Sequence, residues 1–252
     1  MKKYIFLFIL VLITTTLFSQ QDSTKVFFKK ANELYKNGDY TNAIILYQKI
    51  LNTNSHSAEL YYNLGNAYLK NNQIPQSILY YEKALKLKPN NEDIKTNLDY
   101  ANIFINNEIQ HSSQFIIDRI ILTITNTLTS NQWAILAIVF LILALAQIAI
   151  FLFAKSHRTR KISFFSSIFT FIIVAIMLVL SYQNMQNIVN PKQAIIMQTT
   201  SLKSSPTDKG TDLYILNPGI KVQILNSSEQ WNEIRLPNGT KGWILNQKIE
   251  KI

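Results

Sequence analysis

The fold of the N-terminal part of the chain is decided by residues 58–91, AELYYNLGNAYLKNNQIPQSILYYEKALKLKPNN. Many of these residues match the residue 34 positions earlier, in the preceding unit 24–57. The matching pairs are Ala31 and Gly65, Ile44 and Ile78, Tyr47 and Tyr81, Lys49 and Lys83, and Leu51 and Leu85. Small residues let two helices cross closely while aromatic rings fill the space between them, so this period predicts a repeated helix–turn–helix unit.

Residues 58–91 follow the pattern of a known family, in Tyr61-x2-Leu64-Gly65-x2-Tyr68, then Ser77-x3-Tyr81 and Pro89. In these positions the unit resembles the tetratricopeptide repeat. The first unit, 24–57, resembles the same repeat through Ala31 and through Gly38-Asp39-Tyr40. The resemblance implies an all-α tetratricopeptide-repeat array within residues 22–110.

A third unit begins at Glu92 and keeps Asn97-Leu98 before it departs from the pattern. We interpret residues 92–107 as a polar capping helix, the usual end of a repeat array. Two repeats and a cap bury little apolar surface, because three repeats are normally needed for stability. We therefore expect the array to rest on a partner, on a second copy or on the rest of this chain.

The concave face of the array is the candidate binding site. The resemblance implies a protein-binding groove lined by Lys29, Asn32, Tyr35, Tyr62, Asn63 and Asn66. One subset of the family clamps C-terminal carboxylates with lysines and asparagines, and Asn32 and Asn63 match two of those positions. Phe28 and Asp93 stand where lysines would be needed. The alternative is that these are ordinary repeat residues with no dedicated ligand.

Two long apolar runs follow, Trp133–Phe153 and Ile162–Leu180, of 21 and 19 residues without a charge. Each is long enough to cross the hydrocarbon core of a bilayer as a helix. We predict transmembrane helices over 133–153 and 162–182, joined by a loop over 154–161. This loop contains Lys155, Arg158, Arg160 and Lys161, and the positive-inside rule places it on the cytoplasmic side. A multi-pass protein of the inner (cytoplasmic) membrane, with both remaining parts on the periplasmic side, is the expected topology.

The N-terminus has the pattern of a secretory signal. Lys2 and Lys3 precede a short apolar run, and residues 1–21 are therefore predicted to be a signal peptide, with an uncleaved anchor as the alternative. Residues 111–132 are expected to be a linker. Within it, residues 115–122 (FIIDRIIL) could form an interfacial helix or extend the first membrane helix.

Residues 190–252 change to a β pattern. Ile220, Val222 and Ile224 alternate with polar residues, while Pro218-Gly219 and Asn238-Gly239 are turn signals. About five short strands in roughly sixty residues are typical of a small barrel.

The same residues resemble the bacterial SH3-like domain, in Leu202-x3-Pro206, Gly219-x-x-Val222, Trp231 and Gly242-Trp243. The arginine usual in the opening stretch is absent, and Lys203 and Ser204 stand there. The resemblance implies a surface for peptide or glycan at Tyr214, Trp231 and Trp243. The alternative assigns the tryptophans to core and strand packing.

Composition excludes several functions. The 252 residues include no cysteine, which excludes a cysteine nucleophile, thiolate metal sites and a disulfide scaffold. Six units of the +10 net charge belong to Lys2, Lys3 and the loop 154–161, where they flank apolar runs, so we expect no nucleic-acid partner. His56, His111 and His157 share no ligand spacing. We expect no metal, no cofactor and no catalytic residue.

The order of parts resembles the BatE family of the Bacteroides-type aerotolerance operon. That resemblance implies partners among envelope proteins, in particular von Willebrand A-type Bat membrane proteins and a MoxR-type ATPase system. We predict a multi-domain chain that acts as a non-enzymatic scaffold in an aerotolerance or stress complex. The alternative is a sensor that binds peptidoglycan through the SH3-like domain, and a hydrolase has the least support.

Overall fold

The computed structural model describes residues 24–105, 127–189 and 192–252. The predicted signal peptide, residues 1–21, lies outside the described residues. So does the predicted interfacial segment, residues 115–122. The predicted fold class is confirmed, because the described residues form a helical repeat array, two long apolar helices and a small antiparallel sheet domain.

The repeat array consists of helices α1 (24–36), α2 (Tyr40–Leu51), α3 (Ala58–Lys70), α4 (Ile74–Leu87) and α5 (Glu92–Ile103). Short polar side chains begin three of these helices by accepting a backbone N–H of the first turn. Asp39 caps α2, Ser57 caps α3 and Asn91 caps α5. Each of these three helices therefore begins directly after its capping residue.

Close approach of α3 and α4 depends on Gly65. A Cβ atom at this glycine would lie 2.7 Å from Cδ1 and Cε1 of Tyr81, which is fully buried. Ala31 and Ala43 likewise have no exposed surface in the first unit, where Tyr47 fills the space between helices. Small residues and tyrosines thus have the packing roles that the 34-residue period predicts.

Helices α6 (Ser130–Phe153) and α7 (His157–Val189) form an antiparallel hairpin. Both are long and apolar enough to cross a membrane. Within the most apolar 18 residues of each helix, only 11% and 22% are buried, respectively. Such exposure is unlike that of helices in a soluble core, whose side chains are mostly buried.

The seam of the hairpin follows a spacing of three and four residues. On α7 the buried positions are Ser163, Ser167, Thr170, Val174 and Asn184. Small and polar side chains at this spacing are typical of packed membrane helices. Thr170 Oγ1 also donates to Gln147 Oε1 at 3.0 Å, which joins the two helices by a hydrogen bond.

The connection between these helices is shorter than the predicted loop over 154–161. Helix α6 ends at Phe153 and α7 begins at His157. Arg158, Arg160 and Lys161 therefore lie at the start of α7, and only Lys155 of the four cations lies in the connection. Residues 157–161 contain no Pro or Gly, and Arg and Lys are good helix formers, so the helix begins before the apolar run.

The C-terminal part is one antiparallel sheet in the order β3-β2-β6-β5-β4-β1-β7. Its strands are β1 (Gln193–Ile196), β2 (Thr200–Lys203), β3 (Asp212–Leu216), β4 (Lys221–Ser227), β5 (Trp231–Arg235), β6 (Lys241–Leu245) and β7 (Ile249–Lys251). Gly219 (φ 94°) and Gly239 (φ 91°) adopt the left-handed turns that Pro218-Gly219 and Asn238-Gly239 predict.

The sheet has seven strands where about five were expected. Strands β1 and β7 have four and three residues, which is too short for a clear period of two. Strand β3 is exposed along both faces except at Leu216, so its sequence also lacks an alternating pattern. Short or exposed strands of this kind lack the alternation on which the expected number rested, and this explains the difference of two.

The repeat array packs against the sheet domain. Of the three supports expected for so small an array, the structure shows the one within this chain. Ile195 and Ile252 share one buried cluster with Ile78 and Leu79 of α4. Ile105, just after α5, packs against the core of the sheet domain. The two modules therefore share apolar packing.

Candidate functional site: the groove of the repeat array

The groove contains a cavity of about 240 Å³ between α1 and α3. Its lining residues are Asn32, Tyr35, Lys36, Tyr47, Asn63 and Asn66. Five of the six come from the first helix of a unit, α1 or α3, and Tyr47 comes from α2. The cavity is thus built mainly from the concave face that the repeat pattern predicts.

Two hydrogen bonds of this face repeat with the sequence period. Tyr47 donates its hydroxyl to Asn32 Oδ1 at 2.5 Å. Tyr81 donates its hydroxyl to Asn66 Oδ1 at 2.6 Å, and both of these residues lie 34 positions later. Each bond fixes the amide of a groove asparagine on a buried tyrosine of the same unit.

A second pair of bonds links successive units. Asn63 donates to Asn32 Oδ1 at 3.2 Å, and Asn97 donates to Asn66 Oδ1 at 2.8 Å. Asn97 Nδ2 also donates to the hydroxyl of Tyr62 at 3.1 Å. A ladder of amides therefore runs along the groove from α1 through α3 to α5.

The ladder leaves donors available for a ligand. The Oδ1 atoms of Asn32 and Asn66 each accept two bonds, whereas their Nδ2 groups donate to none of the described residues. Side-chain amide donors at the surface of a groove suit peptide carbonyl oxygens. The arrangement can therefore bind the backbone of an extended segment.

The electrostatics of the groove are simple. Burial raises the pKa of Tyr35, of Tyr47 and of Tyr81 above the ordinary value of a phenol. These tyrosines are uncharged at neutral pH and act as hydroxyl donors. Among the six lining residues, Lys36 is the charged one, so the cavity carries a single positive charge.

The predicted and observed lining sets overlap without being identical. Four predicted residues line the cavity, namely Asn32, Tyr35, Asn63 and Asn66. Lys29 is exposed on α1 and Tyr62 contacts Asn97, and neither lines the cavity. Lys36 could have been found because it lies one helical turn after Asn32, on the same face. Tyr47 belongs to α2, the second helix of its unit, and its place in the repeat pattern indicates packing between helices rather than a position in the groove.

The SH3-like surface residues lie on two faces of the sheet. Directly paired residues of antiparallel strands have side chains on the same face. Trp243 pairs with Glu233, two positions after Trp231, so both tryptophans lie on one face. Tyr214 pairs with Leu202, which is fully buried in the core, so Tyr214 lies on the core-facing side of its strand. The two neighbours of Trp243 along β6 are buried, so Trp243 itself points away from the core. Tyr214 therefore belongs to the opposite face.

The tryptophans also differ in exposure. Trp231 is 8% exposed, and Trp243 is half-buried. Trp243 is thus the accessible member of the pair, and Trp231 contributes mainly to packing.

A metal site would need several ligating side chains close together among the described residues. No group of three or more His, Asp or Glu side chains there could hold a metal ion. His56 receives or donates a hydrogen bond at 2.9 Å with the hydroxyl of Tyr61 and stacks on its ring. It has a local packing role.

These features define a class of protein: a helical-repeat array joined through an apolar helical hairpin to a small SH3-like sheet domain. Comparison with family models agrees with both modules. Residues 58–91 match the tetratricopeptide repeat, residues 31–72 match the TPR repeat, and residues 199–250 match the bacterial SH3 domain. A comparison with curated proteins finds no match.

These matches support a general conclusion. Tetratricopeptide repeats and bacterial SH3 domains are typically non-catalytic interaction modules. The repeats indicate protein–protein interaction, and the SH3 domain indicates the cell envelope and its wall. The two apolar helices indicate association with a membrane.

Proposed function

We propose that the chain is a non-enzymatic adaptor, anchored in the inner membrane, whose repeat groove binds an extended segment of a partner protein. The observation that carries this proposal is the cavity of the groove with the unpartnered amide donors of Asn32 and Asn66 among the described residues. Because the two donors recur at the repeat period, they suit the regularly spaced carbonyl groups of an extended peptide.

The groove favours backbone recognition over a carboxylate clamp. Lysines are absent from the clamp positions, where Phe28 and Asp93 stand, and Lys36 supplies a single charge. One cation and several amides match a polar or mildly acidic segment. A strongly basic segment would be repelled by Lys36 and by the exposed lysines of α1.

The proposed topology places both modules on the periplasmic side. The repeat array and the sheet domain pack against each other, so both must lie on one side of any membrane that the hairpin crosses. Asn90, in the turn before α5, donates to the Thr127 carbonyl oxygen at 2.7 Å, close to the start of α6. The four basic residues within 155–161, at the other end of the hairpin, favour the cytoplasm.

The partners implied by the resemblance remain part of the proposal. We propose von Willebrand A-type Bat membrane proteins and a MoxR-type ATPase system as the complex in which the adaptor acts, with a role in aerotolerance or envelope stress. The modular architecture supports an adaptor role, and the resemblance alone supports these particular partners. Co-purification of the tagged full chain with either class tests them.

The decisive experiment removes the amide donors and keeps the acceptors. N32D/N66D preserves each Oδ1 for its tyrosine and deletes the two Nδ2 groups. A matched control, N52D/N102D, adds the same charge at exposed positions of the repeats. We expect detergent-extract pull-downs to lose partners with the groove variant and to keep them with the control. Unchanged partners with N32D/N66D would refute groove binding.

A second function, peptidoglycan binding, is favoured by one specific observation. Residues 199–250 match the bacterial SH3 domain, and Trp243 is accessible on the sheet. The full chain in detergent should then sediment with purified cell-wall sacculi, and W243L should sediment less. Equal sedimentation of wild type, W243L and a detergent-solubilised protein without an SH3 domain would exclude this function.

A further inference from the structure

The basic tip of the membrane hairpin is unused by the adaptor function. It comprises Lys155, Arg158, Arg160 and Lys161, all of which are exposed. The sequence contains no Asp or Glu between Asp118 and Asp208, so no acidic side chain of the hairpin neutralises them. None of the four forms an ion pair with another described residue. Four positive charges are therefore uncompensated at one end of two apolar helices.

The local geometry keeps these charges together. The connection between α6 and α7 has three residues, 154–156, so both helix ends are close. Arg160 Nε donates to the carbonyl oxygen of Ala154 at 2.8 Å. This bond turns the guanidinium back over the connection, and its terminal N–H groups donate to none of the described residues.

Apolar side chains lie directly on the helix side of the cations. Phe153 is 84% exposed and Ile162 is 69% exposed, and they stand immediately before and after the basic tip. Helix α6 has 24 residues and thus a length of about 36 Å, against a hydrocarbon core of about 30 Å. A hairpin that spans the core therefore places the four cations at the level of the lipid headgroups.

We propose that this tip binds the phosphate headgroups of anionic phospholipids. The inference rests on the proposed membrane-spanning hairpin. The guanidinium groups of Arg158 and Arg160 have the planar donor geometry that matches phosphate oxygens, while Lys155 and Lys161 add point charges. Anionic headgroups are the phosphate source present at this depth, and they would balance the tip because the hairpin itself contains no carboxylate.

The test uses the purified full chain in a neutral detergent, where insertion direction has no influence. Native mass spectrometry would count bound phosphatidylglycerol and phosphatidylcholine in competition. Because each cation near an anionic surface contributes about 1 kcal/mol, we expect a preference of about tenfold or more for phosphatidylglycerol. Equal retention of the two lipids overturns the proposal. Displacement of phosphatidylglycerol by equimolar inorganic phosphate would identify a free-phosphate site instead and also overturn it.

Two variants separate the tip from general charge. K155Q/R158Q/R160Q/K161Q should abolish the preference. The matched control removes the same charge from exposed lysines of the sheet domain and its approach, in K192Q/K209Q/K241Q/K251Q, and should keep it. Loss of the preference in the control alone, or in both variants equally, contradicts a site at the tip.

A third variant and a separate measurement complete the test. R158K/R160K retains the charge and removes both guanidinium forks, and an intermediate preference is expected; an unchanged one would contradict the assigned role of the arginines. Carbonate extraction of cell membranes tests the hairpin independently. A chain that resists extraction but shows no lipid preference refutes lipid binding alone, whereas a chain released by carbonate refutes the membrane-spanning proposal.

Discussion

Lys221 Nζ lies 2.8 Å from Glu82 Oε2, although 139 positions separate the two residues in the chain. The ion pair joins strand β4 of the sheet domain to helix α4 of the repeat array. Glu82 is 15% exposed and Lys221 is 39% exposed, so the pair is partly shielded from solvent. Both apolar helices lie between these residues in the sequence. The contact therefore holds the part of the chain before the hairpin and the part after it at the same end of the hairpin.

Cross-linking of this contact is the first prediction. The chain contains no cysteine, so E82C/K221C introduces the only thiols. We expect a short bis-maleimide to join the two thiols in the folded full chain. After a protease cuts the chain within the hairpin, the two fragments should then remain covalently linked. The control E82C/K209C places the second thiol in the β2–β3 connection, at the other edge of the sheet. Equal cross-linking of both pairs would contradict the docked arrangement.

The docked surface should respond to pH through Lys86. Its Nζ donates to the backbone oxygen of Ile252 at 2.8 Å. Burial, followed by the nearby charge of Lys221, lowers the pKa of Lys86 from 10.5 to about 8, while Glu82 opposes the shift. The folded chain thus binds fewer protons at this site than the unfolded chain between these two values.

The sign of the pH effect follows from this difference in bound protons. The contribution of Lys86 to stability is lowest below pH 8 and increases as the pH rises from about 8 towards 10.5. Thermal unfolding of the full chain in detergent should show this increase, and K86M should reduce it. A stability that changes across the window by the same amount in both proteins would contradict the predicted role of Lys86.

Packing of the second repeat should be sensitive to one methyl group. A Cβ at Gly65 would lie 2.7 Å from the ring of Tyr81, which is fully buried. We expect G65A to lower the free energy of unfolding of the repeats by about 1–3 kcal/mol. Circular dichroism during denaturant unfolding measures this loss.

A glycine with open surroundings provides the comparison for that prediction. Gly38 has a positive φ of 82°, and a Cβ atom at this position would have no neighbouring atom within 4 Å. Asparagine tolerates this backbone conformation, so G38N should change stability much less than G65A. A larger loss in G38N than in G65A would contradict steric packing as the role of Gly65.

The hairpin seam offers a further prediction. Ala144 of α6 has no exposed surface, because α7 packs directly against it. A144L should force the two helices apart and lower stability by about 1–3 kcal/mol, whereas A149L, at an exposed position of the same helix, should have little effect. Thermal unfolding of both variants in one detergent makes the comparison, and equal melting temperatures would contradict the seam.

Much of the fold was predictable because its signals are local or periodic. Gly65 and Tyr81 occupy positions of a 34-residue period, and Gly239 lies in a turn between strands, so sequence spacing reveals their roles. Contacts between modules have no such period. The pairing of Glu82 with Lys221 depends on tertiary packing, and neither residue differs from an ordinary surface charge in the sequence.

The groove was predictable in part for the same reason. Asn32 and Asn66 recur at the repeat period and both line the cavity. Lys36 also recurs, as Lys70, but only Lys36 of this pair lines the cavity. Which residues surround a cavity depends on the crossing of helices, as for Tyr47 of α2. Sequence period alone carries no information about that crossing.

The central claim is that both modules lie on the periplasmic side of the membrane and that the basic tip lies on the cytoplasmic side. Single cysteines at exposed positions test it most directly: N52C in the repeats, K209C in the sheet domain and S156C at the tip. With a membrane-impermeant maleimide on intact spheroplasts, we predict labelling of N52C and K209C, and labelling of S156C only after lysis. Labelling of S156C in intact spheroplasts, or opposite results for N52C and K209C, would contradict the account.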